Sequence, residues 1–108
     1  MSKIKLVIVI PVFNEEEIIT KVVTDWLKLL KNIDGRLIII NDGSTDQSLT
    51  KLRLISSKKL LIINQKNSGH GPAIINGYKK ALTFDPEYIF QVDSDNQFLT
   101  SDFYKFWN

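Results

Sequence analysis

A chain of 108 residues is the size of one ordinary domain, so a two-domain reading is excluded. Fourteen Lys and Arg against twelve Asp and Glu give a net charge of +2, with no basic surplus that demands nucleic acid and no acidic tail. Without cysteine, and with His70 as the single histidine, the chain excludes disulfide scaffolds, thiolate zinc, iron–sulfur clusters, thiol catalysis and multi-histidine metal sites.

The first patterned segment is Leu6-Val7-Ile8-Val9-Ile10, uninterrupted and rich in β-branched residues, which suits a strand covered on both faces. With its extension to Phe13 it includes Pro11 and falls far short of the roughly 20 residues that cross a bilayer. Nothing before it has the form of a cleaved signal, so the expected setting is cytoplasmic and reducing. Ile18, Ile19, Val22, Val23, Trp26, Leu27 and Leu30 then form one apolar stripe at helical spacing. Asn14 with Glu17 reads as a capping box opening that helix, and Asp34-Gly35 as the turn after it.

Leu37-Ile38-Ile39-Ile40 is the second strand, and Ser44 with Gln47 reads as the capping box of a helix carrying Leu49, Leu52, Leu54 and Ile55. Leu60-Leu61-Ile62-Ile63 is the third strand. Pro72 suits the first turn of a third helix, whose apolar members are Ala73, Ile74, Ile75, Tyr78 and Ala81. Tyr88 to Val92 is the fourth strand, and a last helix starts near Thr100 with Phe103, Phe106 and Trp107 awaiting a packing partner. The order β-α-β-α-β-α-β-α predicts an α/β fold, a doubly wound and mainly parallel sheet with helices on both faces.

Ligands of such sheets bind beyond the carboxyl ends of the strands, where this chain places its polar residues. Asp93-Ser94-Asp95, if extended, projects residues 93, 95 and 97 to one side, so that two carboxylates and the Gln97 amide oxygen could hold a hard cation such as Mg²⁺ or Mn²⁺. An Asx-turn that ends a strand is the plainer role for the same triplet. Gly69-His70-Gly71-Pro72 is neither a dinucleotide fingerprint nor a P-loop; its glycines serve either a tight turn or the close approach of an anion, and His70 suits a hydrogen bond at the rim. Asp42 can brace the Gly43-Ser44-Thr45 turn or accept from a base or sugar, and both roles stay open.

Taken jointly, Val9-Ile10-Pro11-Val12-Phe13-Asn14-Glu15, Ile40-Asn41-Asp42-Gly43-Ser44-Thr45-Asp46, the Asn67–Gly77 glycine pattern and Phe90-Gln91-Val92-Asp93-Ser94-Asp95 resemble the family 2 glycosyltransferases, nearest their polyprenyl-phosphate branch. The resemblance implies the GT-A fold and a nucleoside diphosphate sugar donor. It implies that Pro11, Phe13 and Glu15 line the base and ribose pocket and that Asp42 hydrogen-bonds the base. Asn67, Gly69, Gly71 and Ala73 would shape the pocket, and Asp93, Asp95 and Gln97 would hold a divalent metal. It also implies an acceptor such as a polyprenyl phosphate, reached at the inner face of a membrane.

Family members continue for roughly another half-domain that carries the acceptor pocket and, in many, a general base. The chain on this reading is a donor-binding half spanning 1–108, without an assigned catalytic base and prone to pair as a homodimer through its open edge. The competing function is an inert nucleotide-binding or interaction domain. A nucleotidyltransferase would want a glycine-rich basic loop at Pro11–Glu15, and a phosphate receiver would want paired acids there; the sequence has neither.

Overall fold

The computed structural model describes residues 4–95 and 99–107. Strands β1 (Leu6–Val12), β2 (Gly35–Asp42), β3 (Leu60–Gln65) and β4 (Tyr88–Gln91) form one all-parallel sheet in the order β3-β2-β1-β4. Helices α1 (Ile19–Leu29), α2 (Ser48–Arg53), α3 (His70–Leu82) and α4 (Thr100–Trp107) connect and flank the strands, with a 3₁₀ turn at Leu30–Asn32. This is the doubly wound α/β fold that the alternation predicts.

The unbroken aliphatic runs follow from burial on both faces. Leu6, Ile8, Ile10, Leu37 and Ile39 point into a core shared with α1, Leu52 and Phe103. The alternate residues Val7, Val9, Ile38 and Ile40 point to the other face, where Ala73 and Ala81 of α3 meet them. That helix lies close on the sheet, because a Cβ at Gly77 would stand 2.3 Å from Val9 Cγ1. Chain order runs outward from β1 through β2 to β3, then returns across β1 to β4. The switch point between β1 and β4 opens a crevice at the carboxyl ends.

Several local expectations need correction. Asn14 and Glu17 do not cap α1, which starts at Ile19 with no side-chain cap. Ser44 and Gln47 do not box α2; the Ser48 N–H donates to Asp46 Oδ1 at 2.8 Å instead. On α3 the buried residues are Ala73, Gly77 and Ala81, whereas Ile75 and Tyr78 are exposed. On α4, Phe103 is fully enclosed, with its ring centroid 4.9 Å from Phe90 and 5.6 Å from Trp26. The packing partner expected downstream is thus supplied for Phe103 by the fold itself, while Phe106 remains exposed.

Candidate functional site

The four strand-to-helix loops converge on a cleft of about 390 Å³ lined by Pro11, Val12, Phe13, Glu15, Asp42, Asn67, Gly69, His70, Ala73, Asp93, Ser94 and Asp95. Of the residues expected at a binding site, Gly71 is not in this lining, and Gln97 lies outside the described residues. Val12 and Ser94 join the wall unannounced by any sequence signal beyond their position at strand ends.

Two sets of hydrogen bonds tie the rim together. Asn14 takes a left-handed backbone, φ 51°, which asparagine tolerates. Its Oδ1 accepts from the Thr45 N–H at 2.8 Å and the Asp46 N–H at 3.3 Å, and its own N–H donates to Ser44 Oγ. The Glu15 N–H donates to Ser48 Oγ at 2.9 Å and the Glu16 N–H to Asp46 Oδ2 at 3.2 Å. The loop after β1 is thereby stitched to the loop after β2.

Asp42 makes the second tie. Its Oδ1 accepts from Gln65 Nε2 and the Ser68 N–H, both at 2.8 Å, and its Oδ2 accepts from the Gly69 N–H at 2.9 Å. Asn67 Nδ2 donates to the Asp42 backbone carbonyl at 2.9 Å and reaches Oδ2 at 3.4 Å. Gly69 turns the chain at φ +105°, a conformation that side-chain-bearing residues rarely adopt. Between the two roles open to Asp42, bracing therefore comes first; only Oδ2, whose second donor is distant, has capacity for a ligand. Burial is the largest single influence on the Asp42 carboxyl and pushes it up. The donors from Gln65, Ser68 and Gly69 together outweigh burial and hold it below the ordinary carboxylate range. Asp46 follows the same balance, with burial opposed by the Ser48 hydroxyl and by backbone N–H groups including those of Ser48 and Glu16.

The wall after β4 is different. β4 ends at Gln91 and residues 94–95 form a turn, so the extended geometry expected for Asp93-Ser94-Asp95 is replaced by a bend. Asp93 and Asp95 nevertheless stay exposed toward the cleft while Ser94 is buried. Asp93 Oδ1 accepts from Gln91 Nε2 at 2.9 Å and lies 3.5 Å from His70 Nε2, an ion pair when the imidazole is protonated. The fold thus brings a carboxylate to ion-pair distance of His70 at the rim.

Two carboxylates on one wall offer the hard oxygen donors that Mg²⁺ or Mn²⁺ takes. Among the described residues no group of three or more His, Asp or Glu is gathered to hold an ion.

Comparison with known proteins agrees with this architecture. Residues 7–108 match the family described as Glycosyl transferase family 2. The chain is 31% identical over 99 residues to the undecaprenyl-phosphate 4-deoxy-4-formamido-L-arabinose transferase of Proteus mirabilis, covering 86% of this chain and 29% of that protein. It is 28% identical over 113 residues to the UDP-N-acetylglucosamine–dolichyl-phosphate N-acetylglucosaminyltransferase of Methanococcus voltae, covering 91% of this chain and 44% of that protein. Residues 1–349 of S. aureus TarS superpose with a TM-score of 0.72 at 27% identity, over 84% of this chain and 27% of that one. The chain spans less than half the length of each of these relatives.

Proposed function

Because the chain belongs to glycosyl transferase family 2, we propose that it forms the donor side of a sugar-transfer site that takes a nucleoside diphosphate sugar. The observation that carries this reading is the single cleft formed by all four strand-end loops, with carboxylates on the β4 wall facing Pro11–Glu15 across the switch point. Pro11, Phe13 and Glu15 line the base and ribose; Asn67, Gly69 and Ala73 shape the opposite side. Asp42 serves the base by holding the Asn67–Gly69 loop and through what remains of Oδ2. Gly71, in the first turn of α3, lies outside the cleft lining, and a place for it in the donor site rests on the family pattern alone. Asp93 and Asp95, with Gln97, would hold a divalent ion, which when bound supplies the charge that neutralises the departing diphosphate.

The acceptor in this reading is a polyprenyl phosphate, the class named for the two curated relatives. A phosphate oxygen attacks the anomeric carbon, and the bond to the diphosphate breaks with its electron pair leaving on the diphosphate. Such an acceptor is already ionised at neutral pH, so the transfer asks no carboxylate base of these 108 residues.

Calorimetry with UDP and GDP, in Mn²⁺ and in chelator, tests the proposal. Asp95→Asn is expected to weaken binding at least roughly tenfold in Mn²⁺, the scale of a lost hydrogen bond to a charged group, and little in chelator. Equal losses in both conditions would mean that Asp95 braces the turn instead. Nucleotide binding with no transfer to a polyprenyl phosphate would leave the inert-domain reading in place.

A further inference from the structure

The outward face of α3 is the wrong chemistry for a solvated helix. Its inner side is Ala73, Gly77 and Ala81, while Ile75, Tyr78 and Leu82 follow one another at helical spacing on the outer side and are 56%, 37% and 66% exposed. By contrast, the exposed residues of α1 are Thr20, Lys21 and Lys28, the polar outer face expected of a surface helix.

Charge is as uneven as hydrophobicity. The segment from Gln47 to Phe84 holds seven of the fourteen basic residues and none of the twelve carboxylates. Lys79 sits on α3 beside the stripe, Lys80 lies about 100° further round the helix and away from the stripe, and exposed Lys66 precedes the loop that leads into the helix. None of these three ammonium groups has an ion-pair or hydrogen-bond partner among the described residues.

We infer that the outer stripe of α3 is a contact surface for an anionic lipid membrane, with Ile75, Tyr78 and Leu82 entering the interface and Lys79 meeting the headgroups. A single convex helix with apolar and aromatic side chains flanked by lysine is the form that interfacial membrane helices take. A second copy of the chain fits less well, since antiparallel two-fold pairing of this stripe would press Lys79 of each copy against the other. A soluble polyanion fits the lysines and leaves the apolar stripe unexplained. The inference rests on the surface of α3 and not on the transfer reaction.

Vesicle sedimentation without nucleotide tests it, so its failure is separable from failure of the donor reading. The chain is expected to bind vesicles of phosphatidylglycerol and phosphatidylcholine in equal parts, and pure phosphatidylcholine more weakly. Ile75→Ser with Leu82→Ser is expected to lower the partition at least roughly tenfold, and Lys79→Gln by roughly fivefold. Bicelle titration of the unaltered chain, followed by amide NMR, should perturb α3 and spare the other helices. The proposal is overturned by absence of vesicle binding, by serine variants that partition unchanged, or by bicelle perturbations elsewhere. A vesicle-free dimer abolished by the serine variants would overturn it in favour of a second copy, and heparin binding that equals vesicle binding and survives those variants would do so in favour of a polyanion.

Discussion

Asp42 shows how one carboxylate that the sequence offers as a ligand group also braces a distant loop. Its position at the end of an apolar strand was readable; the donors it meets come from Gln65, Ser68 and Gly69, more than twenty residues away, and no local pattern announces them. Asp42→Ala is expected to cost roughly 2–4 kcal/mol, more than a lost helix cap, because it strands several donors at once; urea denaturation at neutral pH measures it. The sign of the acid response follows from the depressed carboxyl. The stabilisation by Asp42 is complete above the unfolded-state value of about 3.9 and is lost as pH falls through the lower folded value. Asp42→Asn should therefore flatten the acid limb of a stability–pH curve, and an unaltered limb would show that other carboxylates set it. Asn14 teaches the same lesson in reverse. Its sequence context spells an N-cap, yet its side chain serves the neighbouring loop, a tertiary partner that outcompetes the local one.

At the level of elements, strands and their order were legible because burial on both faces writes itself as continuous aliphatic runs. The face of α3 was not. Hydrophobicity nominates Ile75 and Tyr78, whereas close approach to the sheet selects Ala73, Gly77 and Ala81, and size rather than polarity decides which stripe goes inward. Gly77→Ala tests that closeness: its Cβ would meet Val9 Cγ1 at 2.3 Å and Ile40 Cγ1 at 3.3 Å. Thermal unfolding should show a loss of roughly 1–3 kcal/mol. Gly71→Ala makes the contrast, since a Cβ there meets nothing within 4 Å and the backbone is already helical. It should be neutral or stabilising by up to roughly 1 kcal/mol. If it nevertheless weakens nucleoside diphosphate binding, the glycine is kept for the ligand; unchanged affinity removes Gly71 from the site.

For the whole molecule, the family motifs made the cleft legible at nearly every wall, with Val12 and Ser94 added by geometry. The sheet leaves β4 without a second neighbour among the described residues, and Tyr88 on it is 57% exposed beside Phe106 and Trp107. An open edge with aromatic flanks favours strand-to-strand association. Sedimentation at micromolar protein is expected to show self-association that Tyr88→Lys reduces, and a monomer in the unaltered chain would refute it. The rim of the cleft carries a different consequence. Loops after β1, β2 and β3 are cross-stitched through Asn14, Asp46 and Asp42, while Asp93 meets them through one 3.5 Å contact to His70. Three sides of the cleft are thus set before any ligand arrives, so their loops add little entropy of ordering on binding. Amide hydrogens of Ser68 and Gly69 should then exchange slowly in the free chain, and nucleotide should add little to their protection.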